Sequence, residues 1–244
     1  MTLSPDSSRL PDLVLLPGLV CDDRMWAPQI AGLAGAAQVS VGDLSVADSM
    51  LALASSVLEK APAGKFALAG LSMGGYVALE IMRQAPERVL GLALLDTTAR
   101  PDTPETTQNR RKAMERSETD FTGVLADLLP KLVHPAQLDD KSITDILMKM
   151  GEDAGKEVFR RQQTAIIGRI DSRPFLDRIR CPTLVLCGRE DLITPVEVHE
   201  EMVEGIAGAR LSIVEKCGHI STLGQPDAVN EALRQWLSRV LPTA

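Results

Sequence analysis

Phe66-Ala67-Leu68-Ala69-Gly70-Leu71-Ser72-Met73-Gly74-Gly75-Tyr76-Val77-Ala78 is the stretch that decides the fold. Its first six residues form an apolar run of strand length, and the helical pattern that opens at Met73 continues to Gln84. Ser72 stands on the corner between the two. A strand–serine–helix corner presents one hydroxyl beside the first free amides of a helix, which is how a serine is offered to a carbonyl carbon. As a bare pattern, Gly-x-Ser-x-Gly also fits an ordinary turn. The context favours chemistry. Gly70 and Gly74 flank the serine where a side chain would collide with a tight corner, and Gly75 and Ala78 let the helix start close against a sheet. A dinucleotide-binding turn would need its second glycine where Ser72 stands, and no Gly-x-x-x-x-Gly-Lys phosphate loop occurs.

Outward from that corner, short β-type runs at residues 13–16, 39–43, 66–71, 89–96, 183–188 and 210–215 alternate with helical patterns at 28–33, 49–60, 73–84, 195–204 and 227–240. Such alternation predicts an α/β fold, a mostly parallel β-sheet flanked by helices. It fails once. Residues 97–180 contain no convincing strand and read as several helices broken at Pro130, Pro135, Gly151 and Gly168. A segment that leaves the sheet after one strand and returns before the next is expected to be a helical lid, so the core comprises 1–96 and 181–244 and the lid 97–180. The lid segment carries 15 Lys/Arg against 14 Asp/Glu, whereas the rest carries 11 against 19. Those extra cations either keep the helices soluble or, through Arg160, Arg161, Arg169 or Arg173, meet an anionic substrate group.

The bulk composition excludes several classes. At 244 residues the chain buries a full core, built from aliphatic residues because aromatics make up only 3%. A net charge of −7 with no basic strip argues against nucleic acid as a partner. No apolar run approaches the roughly 20 residues that cross a bilayer. The opening MTLSPDSSRLPD has neither a basic start nor an apolar stretch, so a cytoplasmic location and no membrane partner are expected. Cys21, Cys181, Cys187 and Cys217 form no CxxC pair; they are expected to be reduced packing residues, with no structural zinc, although Cys217 lies close to His219 in sequence.

A nucleophilic serine needs a base, and the base needs an orienting acid. Three histidines exist. His134 precedes a proline inside the lid, and His199 lies among Glu197, Glu200 and Glu201 on what reads as a solvated helix face. His219 follows the last strand, in Cys-Gly-His-Ile-Ser, a loop opened by a flexible glycine at the end of the sheet where ligands bind. It is the candidate base. Asp191, just past the strand at 183–188, is the candidate acid; Asp96, at the end of an earlier strand, is its rival or else a structural cap, and Glu190 should point elsewhere. The chain order is then Ser72, Asp191, His219. The oxyanion that forms on attack needs two fixed donors, the backbone amide of Met73 and that of Leu19 in the Pro17-Gly18-Leu19-Val20 loop, with Gly18 turning the backbone inward.

The motifs LVLLPGLVCDDRMW, FALAGLSMGGYVALEIMRQAPERV, PTLVLCGREDLITP and EKCGHIS resemble those of the α/β-hydrolase superfamily nearly end to end, and are most similar to small capped bacterial carboxylesterases and lactonases of the enol-lactonase and biotin-pathway types. The resemblance implies Ser72 as nucleophile, Asp191 as acid, His219 as base and the Leu19 and Met73 amides as oxyanion donors. Two departures stand out. Pro17 replaces the histidine common in the family's oxyanion loop, and the N-terminus is short for the usual opening hairpin, which implies fewer strands. The expected enzyme is a serine hydrolase that cleaves a small carboxylic ester or lactone, without metal or cofactor, as monomer or homodimer. Carbon–carbon bond hydrolysis, perhydrolysis or acyl transfer on the same residues, a non-catalytic ligand-binding protein, and an interaction protein are the alternatives. An aliphatic pocket lined by Leu128, Leu132, Ile146, Leu147 and Met150 is expected.

Overall fold

The computed structural model describes residues 10–240. Residues 1–9, the part of the chain read above as lacking a leader, lie outside the described set. The elements run in the order β1 (Asp12–Leu16), α1 (Ala27–Gly32), β2 (Gln38–Val41), α2 (Met50–Lys60), β3 (Phe66–Leu71), α3 (Met73–Gln84) and β4 (Val89–Leu95). There follow α4 (Pro104–Arg116), α5 (Phe121–Leu132), α6 (Lys141–Ile167), β5 (Thr183–Gly188), α7 (Val196–Gly205), β6 (Arg210–Val214), α8 (Ser221–Gly224) and α9 (Pro226–Val240).

The strands form one six-stranded sheet in the order β2-β1-β3-β4-β5-β6, every pairing parallel. β3 and β5 are buried along their whole length, as continuous apolar runs in the middle of a parallel sheet require, while the edge strands β2 and β6 are half covered. Side chains alternate between faces. Val14, Leu16 and Leu68 join Leu53, Val77 and Met202 in one core; Leu13, Leu15, Ala67, Ala69 and Ala93 join Trp26, Leu233 and Trp236 in the other. The two tryptophans supply bulk that a core poor in aromatics otherwise lacks. Trp236 also donates its Nε1–H to the Pro182 carbonyl at 3.0 Å.

The chain reaches β2 at one edge by stepping outward from β1, then returns to place β3 on β1's other side. That reversal opens a crevice at the carboxyl ends of β1 and β3, the usual ligand position in such sheets. Loop 17–21 and Ser72 both sit there.

Between β4 and β5 the described residues contain helices and no strand. The breaks differ from those expected. α5 runs two residues past Pro130, and Gly151 lies buried within α6, where a β-carbon would sit 2.7 Å from Leu125 Cδ2; it lets α6 press on α5. The real interruption is Gly155, whose φ of 76° and ψ of 164° turn α6 in mid-course. Gly168 caps α6, and Pro135 opens a single 3-10 turn at Pro135–Gln137. Composition alone could not separate a glycine used for close approach from one used for a turn.

Candidate active site

The corner after β3 is strained. Ser72 has φ 54° and ψ −114°, a region non-glycine residues occupy at a cost of about 1–3 kcal/mol. Its surroundings hold it there. The Ser72 amide donates to the Leu95 carbonyl at 3.0 Å, and its carbonyl accepts from Thr97 Oγ1 at 2.8 Å and the Gly75 amide at 2.9 Å. Close approach does the rest: a β-carbon on Gly70 would lie 2.3 Å from the Gly74 carbonyl oxygen, and one on Gly74 would lie 2.1 Å from that of Leu16. Val20 (φ 49°) and Asp96 (φ 45°), after β1 and β4, are strained as well. Three such residues cluster at neighbouring strand ends, where function concentrates.

His219 reaches this corner from the loop after β6. Its Nε2 lies 2.8 Å from Ser72 Oγ, and its Nδ1 lies 2.8 Å and 3.0 Å from the two carboxylate oxygens of Asp191. Asp191 in turn accepts from the amides of Ile193 (2.8 Å) and Thr194 (2.9 Å) and from Thr194 Oγ1 (2.7 Å). With Nδ1–H donated to Asp191, Nε2 is the free acceptor for the serine proton. Burial pushes the imidazole's pKa down, but the charge and hydrogen bond of Asp191, helped by Asp96, outweigh it, so the pKa stands above its ordinary value. For Asp191, burial pushes up and is outweighed by His219 and Thr194, leaving its carboxyl below the ordinary range. Each group thus favours the other's charged form.

The loop that delivers His219 is packed, not flexible. A β-carbon on Gly218 would come within 2.7 Å of the Val133 backbone, and the Ile220 amide donates to the Leu132 carbonyl at 2.9 Å. Glu190 points away from the imidazole and accepts from the Cys217 amide at 2.9 Å, bracing the same loop.

Asp96 makes no hydrogen bond to His219. It accepts from the Gly188 amide (3.1 Å), the Ser221 amide (3.2 Å) and Ser221 Oγ (2.5 Å), tying the ends of β4 and β5 to α8. Burial, then the charge of Asp191, raises its pKa to about 7.

His199 corrects the sequence reading. It is fully buried, not solvated: Nε2 accepts from the Thr97 amide at 3.0 Å and Nδ1 donates to the Pro195 carbonyl at 3.2 Å. Burial pushes its pKa down to about 4, so it stays neutral and fixes Thr97 behind Ser72. The signal available was that Val198, His199 and Met202 share one buried face of α7. His134 accepts from the Ala136 amide at the start of a 3-10 turn and takes no part in the site.

In the loop after β1 the left-handed backbone occurs at Val20 (φ 49°) and not at Gly18. The Val20 amide is taken by Gln162 Oε1 at 2.7 Å, and Gln162 Nε2 donates to the Leu44 carbonyl at 3.0 Å. The Leu19 amide has no partner of that kind among the described residues. Met73 is the first residue of α3, so its amide has no acceptor within the helix.

A cavity of about 110 Å³ opens over Ser72 and His219. Its apolar wall comes from Leu125, Leu128, Leu129 and Leu132 of α5 with Leu147 and Met148 of α6. Ile146 packs into the core instead, and Met150 borders a different cavity. The four arginines singled out from sequence are all engaged elsewhere: Arg160 with Glu118, Arg161 with the Ser45 carbonyl, Arg169 with Asp102, Arg173 with Asp171. The cation in the cavity wall is Arg110, which sequence reasoning missed. Cys21 also lines the cavity, its thiol pushed up to about 12 by burial; Cys217 is buried and likewise raised, as packing residues are.

Residues 13–232 match the alpha/beta hydrolase family. The chain belongs to that family. Among curated relatives of this alpha/beta hydrolase is a pimeloyl-[acyl-carrier protein] methyl ester esterase of Nitrosomonas europaea, 27% identical over 89% of this chain and 92% of the relative. Among solved structures it is similar to a thermophilic esterase from Thermogutta terrifontis, with a TM-score of 0.87, 30% identity and coverage of 95% of this chain and 91% of the other. The enol-lactonase from Burkholderia xenovorans LB400 follows at a TM-score of 0.85, 26% identity, covering 96% of this chain and 93% of the other. Among the described residues of this hydrolase no helix is long and apolar enough to cross a membrane.

Proposed function

We propose that this alpha/beta hydrolase cleaves small carboxylic esters or lactones through an acyl-enzyme on Ser72. The observation that carries the reading is the unbroken hydrogen-bonded line from Ser72 Oγ through both nitrogens of His219 to Asp191. Ser72 Oγ attacks the carbonyl carbon while its proton passes to His219 Nε2, and Asp191 stabilises the resulting imidazolium. The carbonyl oxygen, now an oxyanion, is received by the Leu19 and Met73 amides. On collapse the carbon–oxygen bond to the alcohol breaks, and His219 returns its proton to that leaving oxygen. A water then gives a proton to His219 and attacks the acyl carbon; on collapse the bond from that carbon to Ser72 Oγ breaks, His219 returns its proton to Ser72 Oγ and the acid leaves. No metal or cofactor enters these steps.

Residues 97–180 act as a lid over the core formed by 1–96 and 181–244; the leucines of α5 supply the apolar wall against which the acyl chain lies. The four free cysteines fit a reducing, cytoplasmic setting. The esterase and enol-lactonase among the similar structures support both ester and lactone as substrate classes. The test is turnover of p-nitrophenyl butyrate and of simple aliphatic lactones. Wild type should hydrolyse at least one class, and Ser72→Ala should lower kcat by at least about 10³-fold. A Ser72→Ala enzyme that keeps most of its activity would refute the assignment.

A further inference from the structure

Arg110 lies on α4 and is the only lysine or arginine among the described residues lining the catalytic cavity, whose wall contains no carboxylate. Its Nε donates to Asp102 Oδ2 at 2.8 Å and its Nη1 to Gln163 Oε1 at 2.9 Å. Nη2 has no partner among the described residues. Asp102 does not neutralise it, because that carboxylate is shared: Arg169 Nη1 lies 2.5 Å from Asp102 Oδ1. The Arg169 side chain is 8% exposed, stacks on Tyr76 at 4.4 Å and also donates to the carbonyls of Arg100 and Ile166. Two guanidinium groups thus share one almost fully buried carboxylate, the Asp102 side chain being 3% exposed, and the surplus positive charge falls on the member that faces the cavity.

The Arg110 side chain is 22% exposed, so its charge is partly screened, but in a cavity with no carboxylate in its wall it still favours an anionic partner. Gln163, held by Nη1, fixes the plane of the guanidinium so that its remaining donors are aimed and not free to wander. The charge also reaches His219, where it works against the imidazolium that catalysis must form. A negative group on the substrate would satisfy Nη2 and cancel that opposition. Resting on the hydrolase reading above, we propose that Arg110 is a specificity-determining residue that receives a carboxylate, so that the preferred substrates are esters or lactones bearing a second, free carboxylate. A charge-assisted hydrogen bond from Nη2 favours a carboxylate over a neutral carbonyl.

The test compares monomethyl adipate with dimethyl adipate, which differ by one charge at one end. Wild type should favour the half-ester in kcat/KM by roughly 10- to 100-fold, the scale of a hydrogen bond to a charged group. Raising salt from about 0.05 M to about 0.5 M should lower kcat/KM for the half-ester more than for the diester. Arg110→Gln should bring the preference to about one, while Arg110→Lys, which keeps the charge without the fork, should retain part of it. Calorimetry supplies a readout independent of turnover: adipate should bind Ser72→Ala protein, and adding Arg110→Gln should weaken that binding roughly 10-fold. No preference in wild type, or an equal preference in Arg110→Gln, would overturn the inference. Should Arg110→Gln fail to fold, the wild-type salt response and Arg110→Lys decide. Adipate binding through Arg110 without cleavage of either ester would instead refute the hydrolase reading and leave the carboxylate site standing.

Discussion

Asp191→Asn strikes the relay at the atom least easily replaced. Oδ1 of Asp191 accepts from the amides of Ile193 and Thr194, so an asparagine keeps its carbonyl oxygen there and turns Nδ2 toward His219. In the wild type the other oxygen, Oδ2, accepts from His219 Nδ1 at 2.8 Å. Nδ2 can only donate. The imidazole must therefore leave Nδ1 unprotonated and carry its proton on Nε2, aimed at Ser72 Oγ 2.8 Å away, where it cannot accept another. The variant also loses the charge that stabilises the imidazolium. Unit charges about 4 Å apart at an effective dielectric of about 20 interact by about 4 kcal/mol, or about 10³ in rate. With the wrong tautomer added, kcat should fall by about 10⁴-fold, the loss associated with this change in a Ser-His-Asp relay. The shape and the two amide hydrogen bonds survive, so circular dichroism should be unchanged. Steady-state hydrolysis of p-nitrophenyl butyrate near pH 8 is the assay. An enzyme retaining a tenth or more of wild-type kcat would refute the reasoning, and a greater loss from Asp96→Asn would move the orienting role to Asp96.

The remaining expectations concern pH. In the proposed mechanism neutral His219 is the active form, and its pKa is raised, because Asp191 and Asp96 outweigh burial. Hence kcat/KM for a neutral ester should fall on acidification through a midpoint above the ordinary imidazole value of about 6.5; a midpoint below that value would contradict the electrostatics. Asp96→Asn removes one of the charges that raise the imidazole, so the acid limb should move to lower pH, with kcat on the alkaline plateau falling less than about 10-fold. An unmoved limb would show that Asp96 acts through packing alone.

Much of this architecture was legible from sequence because parallel-sheet strands are buried on both faces. The runs at 66–71 and 183–188 coincide with β3 and β5 to the residue, and the helix at 73–84 with α3. Boundaries slipped by a residue or two at the half-covered edge strands, where burial no longer marks the ends. The convergence of Ser72, Asp191 and His219 was legible too, since each follows a strand and strand ends share one rim. Contacts between distant side chains were not. Nothing near His199 in sequence announces that Thr97 needs an acceptor 102 positions away. Nor does the charge count of residues 97–180 reveal which arginine faces the cavity: Arg169 and Arg110 look alike along the chain and both hold Asp102, but only Arg110 lines the cavity. Gly151 and Gly155 likewise read identically until packing shows one pressed on Leu125 and the other at positive φ.

Whether a substrate's acyl group becomes bonded to one particular oxygen is the most direct question to put to this protein. Brief incubation with a fluorophosphonate, followed by digestion and peptide mass spectrometry, answers it. The account predicts a single phosphonylated residue, Ser72, with labelling lost in Ser72→Ala and strongly slowed in Asp191→Asn. Absence of label on intact protein, or label on a different residue, would contradict it.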